Sequence, residues 1–281
     1  MFDASTGGFY TLPMPELPEV ETVRSAMERH LLGRPITRVR VSVKRLREPL
    51  PRAALRSLVR DCFVAARRRA KFLLLDLQAG QTLLVHLGMS GNLLLRPWGT
   101  KHDHVGLEFA DGGAVVFNDP RRFGLVLVLD EGEERTCRYL QNLGPEPLSR
   151  AFNARYLQAQ CQRRKSSIKN LIMDNRTVVG VGNIYASEAL FRARIHPATP
   201  AAAIDPPRLA LLAKEIKRVL RVAIDQGGTT ISDYQGSGAG GRFQQRLHVY
   251  GRQGEDCRVC DAPIESFYLG GRNTFYCPHC Q

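Results

Sequence analysis

The chain has 281 residues, 43% of them hydrophobic, and its 40 lysines and arginines outnumber 27 aspartates and glutamates, which gives a formal net charge of +13. No apolar run approaches the roughly 18 residues of a membrane span, and the opening residues lack the basic and apolar regions of a secretory signal. These features argue against an integral membrane protein, and we expect a soluble, intracellular protein of about two domains.

Two compact basic runs indicate the kind of partner. Clustered lysines and arginines neutralise phosphates, so we expect a polyanion, whereas net charge alone is equally compatible with an ordinary basic surface. The runs are Arg67-Arg68-Arg69-Ala70-Lys71 and Arg163-Arg164-Lys165.

The first element in chain order is a helix. Residues 1–14, rich in Gly, Ser and Thr, are expected to be an unstructured leader. Residues 18–32 then carry apolar side chains at helical spacing, and Gly33 is placed to end a helix there. The apolar positions are Val20, Val23, Met27 and Leu31.

A long β-rich region follows the helix. Turn residues such as Asp111-Gly112-Gly113 separate short segments of strand composition. Many short strands at this spacing predict a sandwich or a barrel. The candidate strands are Ile36–Val43, Cys62–Arg68, Phe72–Leu77, Thr82–Leu87, Asn92–Leu95, Val105–Phe109, Ala114–Phe117 and Leu125–Leu129.

The pattern becomes helical after residues 144–147, Gly-Pro-Glu-Pro. The last predicted helix places five apolar residues on one face, and the glycine-rich residues 227–248 that follow it are expected to form a mobile loop. The predicted helices are Asn153–Gln162, Ile168–Met173, Asn183–Arg194 and Pro206–Gln226.

Four of the seven cysteines form two Cys-x-x-Cys pairs, Cys257/Cys260 and Cys277/Cys280, separated by sixteen residues. Two thiolate pairs at this separation predict a closed tetrahedral site for one structural zinc ion on a hairpin; a redox pair is the alternative. His279 is interpreted as a surface residue rather than a ligand. The isolated cysteines, expected to be small buried hydrophobes, are Cys62, Cys137 and Cys161.

The most specific signal is the segment Met14-Pro15-Glu16-Leu17-Pro18-Glu19-Val20-Glu21. A proline-punctuated helix start with acids in its first turn explains Pro18, Glu19 and Glu21, but not the residues before them. The segment resembles the start of the formamidopyrimidine-DNA glycosylases (Fpg/MutM), and the resemblance extends over nearly the whole chain. Further matching motifs are Arg68-Arg69-Ala70-Lys71, His86-Leu87-Gly88-Met89-Ser90-Gly91, Lys101-His102-Asp103-His104, Asp119-Pro120-Arg121-Arg122-Phe123-Gly124, Gly180-Val181-Gly182-Asn183-Ile184-Tyr185-Ala186-Ser187-Glu188 and Thr274-Phe275-Tyr276-Cys277.

The resemblance implies an α+β fold with an N-terminal β-sandwich and flanking helices, a C-terminal helical domain with a helix–two-turn–helix element, and a zinc β-hairpin. The expected domains are the catalytic sandwich at 15–147, the helical domain with a lesion-capping loop at 148–248, and the zinc finger at 249–281. It also implies a monomer that binds duplex DNA in the cleft between the domains, and a cytoplasmic, nucleoid-associated enzyme of bacterial type.

The resemblance also implies a catalytic set. Pro15, after removal of Met14, would be the nucleophile, since an α-amine titrates near 7.7–8.0, well below the ~10.4 of lysine. Its attack on the sugar C1′ gives an iminium intermediate, and Glu16 would move protons. Lys71 would lie near the phosphates and assist the chemistry, and Arg272 would bind phosphates flanking the damage. The expected outcome is base excision followed by β,δ-elimination of the strand.

Other residues would bind and distort DNA. By resemblance, Met89, Arg121 and Phe123 are wedges that fill the hole left by a flipped base, with Arg121 also reading the opposite cytosine. The Gly180–Asn183 loop opens a helix whose amides can hold a phosphate. The residues expected to contact the DNA backbone are His102, Arg164, Lys165, Lys169 and Asn183.

The sequence therefore predicts a bifunctional glycosylase/lyase acting on 8-oxoguanine and formamidopyrimidines. The endonuclease VIII branch, which prefers oxidised pyrimidines, resembles Pro-Glu-Gly-Pro-Glu at its start, whereas this chain has Leu17 in place of the glycine. The alternative from another class is a lesion-binding relative without catalysis. It follows if the residues before Pro15 are retained, because an acylated proline nitrogen has no nucleophilic lone pair.

Overall fold

The computed structural model of this protein describes residues 14–228 and 246–281. The predicted leader, apart from Met14, and residues 229–245 of the predicted glycine-rich, lesion-capping loop lie outside the described residues.

The first helix, α1, spans Leu17–Leu31, within one residue of its predicted bounds. It begins at this point because the Glu19 carboxylate accepts a hydrogen bond from the Glu16 amide at 2.9 Å, and because Pro18 occupies the first turn, where a missing N–H costs nothing. Past its end, Gly33 adopts a positive φ of 72°. Its buried face carries the predicted apolar residues.

Two four-stranded antiparallel sheets form the N-terminal half. One has the strand order β1-β6-β7-β5 and the other β2-β3-β4-β8, and side chains from both meet in one apolar cluster. This arrangement is the predicted sandwich. The strands are β1 (Ile36–Val41), β2 (Phe63–Arg69), β3 (Phe72–Leu77), β4 (Thr82–His86), β5 (Asn92–Leu94), β6 (Asp103–Phe109), β7 (Ala114–Asn118) and β8 (Leu125–Leu129).

Helices build the next part of the chain around a second apolar cluster. Helix α6 illustrates why these helices pack together, since every residue of its predicted apolar face is buried. Leu17 of α1 belongs to this second cluster, whereas Val20 and Val23 belong to the sandwich cluster, so α1 joins the two cores. The helices are α3 (Ala154–Cys161), α4 (Ile168–Met173), α5 (Asn183–Arg192) and α6 (Pro206–Asp225).

The C-terminal hairpin pairs β9 (Glu265–Leu269) with β10 (Arg272–Tyr276). Its small apolar cluster includes Cys257 and Cys277 together with Ile264, and it packs on Phe191 of α5. The hairpin is therefore docked against the helical core rather than isolated from it.

Some local expectations were wrong. A short helix, α2 (Arg52–Ser57), was missed because it buries only Leu55, too few apolar residues to show a period. Strand β6 begins at Asp103 rather than Val105, because its first two residues are buried although polar. Of the isolated cysteines, Cys161 is buried as expected, whereas the other two are half-buried.

Among the helices of residues 14–228 and 246–281, none is both long and apolar enough to cross a membrane.

Candidate functional site

The Glu16 carboxylate lies at the amino end of α5. It accepts hydrogen bonds from the backbone amides of Gly182 at 2.7 Å, Ile184 at 2.9 Å and Tyr185 at 3.4 Å. A side chain at Gly182 would overlap this carboxylate, so the glycine-rich turn makes the approach possible. These backbone amides and the helix dipole thus hold an acid at this loop, for which the sequence predicted a phosphate.

Burial raises the pKa of Glu16 to about 7. The positive charge of Lys71 and the helix amides oppose this shift, and the negative charge of Glu19 adds to it. A carboxyl group with such a pKa holds or releases a proton near neutral pH, as general acid–base catalysis requires.

Glu19 connects this acid to the rest of the site, a role that the sequence reasoning missed. Its carboxylate accepts from the Glu16 amide at 2.9 Å and from the Tyr185 hydroxyl at 2.6 Å. The half-buried Pro15 therefore precedes a residue that is fixed at both its backbone and its side chain. An acid in the first turn of a helix is too common to have revealed this role from sequence.

Two predicted basic residues lie near Glu16. Lys71, in the turn between β2 and β3, is only 8% exposed. Burial lowers its pKa; the charge of Glu16 opposes that shift, and the charge of Arg272 adds to it. Arg272 begins β10 and is itself exposed, and its charge acts on both Lys71 and Lys169, so the zinc hairpin brings a guanidinium close to these buried lysines. We call Glu16, Glu19, Lys71, Lys169 and Arg272 the Glu16 pocket.

Lys169 and Asn183 join the helical core to the hairpin. The Lys169 ammonium donates to Asn183 Oδ1 at 2.5 Å and to Thr274 Oγ1 at 2.6 Å, and Asn183 Nδ2 donates to the Asn273 carbonyl at 2.9 Å. Burial, with Arg272 nearby, lowers the pKa of Lys169 to about 7. Lys169, which the sequence predicts as a phosphate contact, is buried in the structure and holds the hairpin against the helical core. Asn183 is half-buried beside it.

The three predicted wedge residues lie on two neighbouring turns, 88–91 and 119–124, which we call the wedge turns. Phe123 is 48% exposed, the Arg121 guanidinium lies 5.0 Å from its ring centroid, and Met89 is half-buried. The structure thus brings Met89, Arg121 and Phe123 together, with an exposed aromatic ring that projects from the surface.

His86 connects the wedge turns to the Glu16 pocket and was not predicted as a site residue. Its Nδ1 accepts from the Gly88 amide at 3.0 Å. Burial, and then the charge of Lys71, lowers the pKa of His86 to about 4. A neutral imidazole can keep accepting this hydrogen bond at physiological pH.

The remaining predicted DNA contacts are more dispersed. His102 is half-buried, and its carbonyl accepts from the Asp119 amide of a wedge turn at 3.0 Å. Arg164 and Lys165 are exposed in the turn between α3 and α4. Within residues 14–228 and 246–281, no hydrogen bond or ion pair joins their side chains to the Glu16 pocket or to the wedge turns.

The arginines of the first basic run, for which the sequence predicts contacts with phosphates, all make ion pairs with acids of the chain. Their partners come from α1, from β3 and from the segments around Glu134 and Glu146. The pairs are Arg67 with Asp76 and Glu134, Arg68 with Glu21 and Glu146, and Arg69 with Glu146.

The four hairpin cysteines fit one structural zinc ion. Their sulfurs lie within 4.8 Å of one another, with 3.9 Å between Cys257 and Cys280 and 3.4 Å between Cys260 and Cys277. Thiolates at about 2.3 Å around a tetrahedral Zn²⁺ are about 3.8 Å apart. Four cysteines leave no open position, so the ion stabilises the hairpin that carries Arg272.

A further acid missed by the sequence reasoning anchors the segment that leads into the hairpin. The Glu188 carboxylate, buried in α5, accepts from the amides of His248, Val249 and Tyr250 at 2.9–3.0 Å. Burial raises its pKa. The sequence carried one signal of this role: Glu188 is an acid within the largely apolar segment 184–191. A carboxylate buried there needs hydrogen-bond donors as partners.

Comparisons with known proteins cover the chain from Met14 onward. Residues 14–126 match the model of the formamidopyrimidine-DNA glycosylase N-terminal domain, 143–235 match its H2TH domain, and 254–281 match the zinc finger found in FPG and IleRS. Formamidopyrimidine-DNA glycosylase of Alcanivorax borkumensis is 50% identical over 95% of this chain and 100% of its own. The Shewanella amazonensis enzyme is 49% identical over 95% and 99%.

Solved structures show the same architecture. MutM (Fpg) of Thermus thermophilus superposes with a TM-score of 0.85 at 38% identity, covering 95% of this chain and 98% of its own. Lactococcus lactis Fpg in complex with abasic-site DNA gives a TM-score of 0.88 at 31% identity, covering 95% and 99%. With family models over most of its length and half its residues shared with a named enzyme, this chain belongs to the formamidopyrimidine-DNA glycosylase family of enzymes.

Proposed function

We propose that this protein excises oxidised purines, 8-oxoguanine and formamidopyrimidines, from duplex DNA and then cleaves the strand as an AP lyase. The observation that carries the proposal is a carboxyl group with a pKa of about 7, Glu16, directly after Pro15 and beside the buried Lys71. The relatives' names, and the lesion-containing and abasic DNA bound by the Lactococcus lactis protein, supply the substrate class.

Pro15 acts as the nucleophile once its nitrogen is a free secondary amine. The nitrogen forms a bond to the sugar C1′, the bond from C1′ to the damaged base breaks, and the base leaves with the electron pair and receives a proton. The match of the family model from Met14 supports a working chain that begins at Pro15 after removal of Met14.

Glu16 is the general acid–base group of this reaction. Its burial and its fixed hydrogen bonds to α5 hold the proton next to the reacting sugar. The nitrogen then loses its proton, and its lone pair forms a double bond to C1′ as the C1′–O4′ bond breaks and O4′ takes up a proton, which gives the iminium. The iminium acidifies the neighbouring carbon, so that loss of the 3′ phosphate by β-elimination and of the 5′ phosphate by δ-elimination follows.

Lys71 and Arg272 bind the phosphates that flank the lesion and assist their departure. Asn183 and Lys169 act at the same edge, where the hairpin meets α5, and His102, Arg164 and Lys165 contact the backbone farther along the duplex. Met89, Arg121 and Phe123 fill the space vacated by the extruded nucleotide, and Arg121 reads the opposite cytosine.

The proposal keeps the domain boundaries expected from the sequence: a catalytic sandwich at 15–147, a helical domain at 148–248 and a zinc finger at 249–281. The two apolar clusters and the hairpin cluster support this division, with Leu17 as the residue of α1 that enters the helical core. It also keeps the expectations of a monomer and of a cytoplasmic, nucleoid-associated location.

Borohydride trapping tests the chemistry. Protein started at Met1 and protein started at Met14 are incubated with a duplex carrying 8-oxoguanine opposite cytosine, and intact mass identifies each terminus. We expect a covalent adduct and a cleaved strand only where Pro15 has a free nitrogen. Binding without an adduct by both forms would instead establish the lesion-binding, non-catalytic alternative.

A further inference from the structure

Asp119 is fully buried between the two wedge turns. One carboxylate oxygen accepts from the Ser90 hydroxyl at 2.6 Å, and the other accepts from the Gly124 amide at 2.7 Å. Ser90 Oγ in turn accepts from the Arg121 amide at 3.2 Å. A single carboxylate therefore joins the turn that carries Met89 to the turn that carries Arg121 and Phe123.

The backbone of Asp119 extends this connection to the segment around His102. Its amide donates to the His102 carbonyl at 3.0 Å, and its carbonyl accepts from His104 Nε2 at 2.9 Å. His104 Nε2 carries a proton in this contact, because a carbonyl oxygen can only accept a hydrogen bond. Hydrogen bonds of Asp119 thus join three segments: the two wedge turns and the segment around His102.

The wedge turns also approach each other closely. A Cβ at Gly88, in one turn, would lie 2.6 Å from the Phe123 carbonyl carbon in the other. Gly88 has a φ of 69°, which favours glycine. Close backbone contact together with the hydrogen bonds of Asp119 fixes the relative positions of the two turns.

We propose that Asp119 and Ser90 are positioning residues that hold Met89, Arg121 and Phe123 as one preassembled wedge, in fixed register with His102. A wedge ordered in advance loses less conformational freedom when it enters the duplex, so more of its contact energy is available to offset unstacking of the base. The inference rests on the proposed function, since it concerns how the lesion is extruded rather than how the sugar reacts.

Ser90→Ala tests this role with the least disturbance to the fold. Ser90 is half-buried, and the substitution alters none of the three wedge side chains and no residue of the Glu16 pocket. Ser90→Thr keeps the hydroxyl and serves as the conservative rescue. Ser149→Ala is the matched control, because its half-buried hydroxyl donates to the Glu146 carbonyl, away from the wedge turns.

The experiment uses Met14-start protein and two duplexes. In the first, a fluorescent 2-aminopurine beside 8-oxoguanine reports unstacking, and excision is followed under single-turnover conditions. The second contains a preformed abasic site, which has no base to extrude, and is assayed by borohydride trapping. We expect Ser90→Ala to slow unstacking and excision about tenfold, as for loss of one or two hydrogen bonds, to lower the unfolding temperature by only a few degrees, and to leave trapping unchanged.

The possible results distinguish failure of the positioning role from failure of the proposed function. Unstacking by Ser90→Ala at the wild-type rate, or an equal slowing of abasic-site trapping, would overturn the positioning role while leaving the proposed function intact. Absence of both excision and trapping in the wild-type protein would overturn the proposed function itself, and the inference with it. Restoration by Ser90→Thr supports the role of the hydroxyl.

Discussion

The Glu16 pocket and the wedge turns are organised in opposite ways. In the pocket, every charged group except Arg272 is buried. This burial, modified by neighbouring charges and, for Glu16, by hydrogen bonds to backbone amides, sets the pKa values of Glu16, Lys71 and Lys169. In the wedge turns, the side chains predicted to enter DNA are exposed or half-buried, and the buried Asp119 fixes the backbone beneath them. Proton transfer requires groups whose pKa values are set by their surroundings. Insertion into a duplex requires exposed side chains on a rigid backbone.

Substitutions in these two regions should therefore affect different steps of the reaction. A change in the Glu16 pocket should alter the chemical step and its pH dependence, whereas a change at an exposed wedge tip should alter extrusion of the base and leave chemistry and stability nearly intact. His86 is linked to both regions, by its hydrogen bond to Gly88 and by the charge of Lys71, so a substitution there should affect both.

The largest effect is expected for Glu16→Gln. The amide keeps the size of the side chain but cannot deliver a proton, so single-turnover excision of 8-oxoguanine should fall about a hundredfold or more. Trapping at a preformed abasic site, which needs no base protonation, should persist. Glu28→Gln on the same helix is the matched control, since that carboxylate is 48% exposed in its pair with Arg24. Wild-type excision by Glu16→Gln would remove Glu16 from the mechanism.

A smaller effect is expected for Phe123→Ala. Loss of the exposed ring removes a surface that replaces stacking, so excision should slow about tenfold while abasic-site trapping is retained. Stability should change by no more than about 0.5 kcal/mol, measured by urea unfolding, because the ring is 48% exposed. Val64→Ala removes a similarly exposed apolar side chain from β2 and should leave excision unchanged. Strong destabilisation by Phe123→Ala would mean that the ring belongs to the core.

A pH-dependent change in stability is also expected from the pocket. Burial raises the pKa of Glu16 from 4.5 to about 7, so between these values the folded chain keeps a proton that the unfolded chain has released. The contribution of Glu16 to the free energy of unfolding should therefore fall as pH rises through this window, by about 3 kcal/mol. The lowered pKa of His86 acts in the opposite direction over much of this range, but it does so in wild-type protein and Glu16 variants alike.

Urea unfolding of wild-type protein and of Glu16→Gln across this pH range measures the effect, because the variant should lack that part of the decline. The lowered pKa of Lys169 affects stability mainly above about pH 7, where it makes stability rise with pH. It therefore does not obscure the difference between wild-type protein and Glu16→Gln at lower pH. Parallel curves for the two proteins would contradict the raised pKa of Glu16.

Much of the fold was predictable because it depends on local patterns. The eight strands of the sandwich and the four helices after residue 147 were predicted within about two residues at each end, since alternation and helical spacing report which face is buried. Helix α2 was missed because six residues with one buried leucine show no period. The zinc site was equally predictable, since ligand type and spacing define it.

The order and type of the elements, the cysteine ligands and the motifs that identify the family can all be read from the amino-acid sequence. The state of each charge depends instead on the folded structure. The arginines of the 67–69 run look like those of the 163–165 run, yet the former make ion pairs with acids from distant segments, whereas Arg164 and Lys165 remain exposed. Likewise Glu19 and Asp119 are ordinary acids in sequence. Their roles come from burial and from partners distant in the chain, because the energy of a charge depends on its surroundings in space.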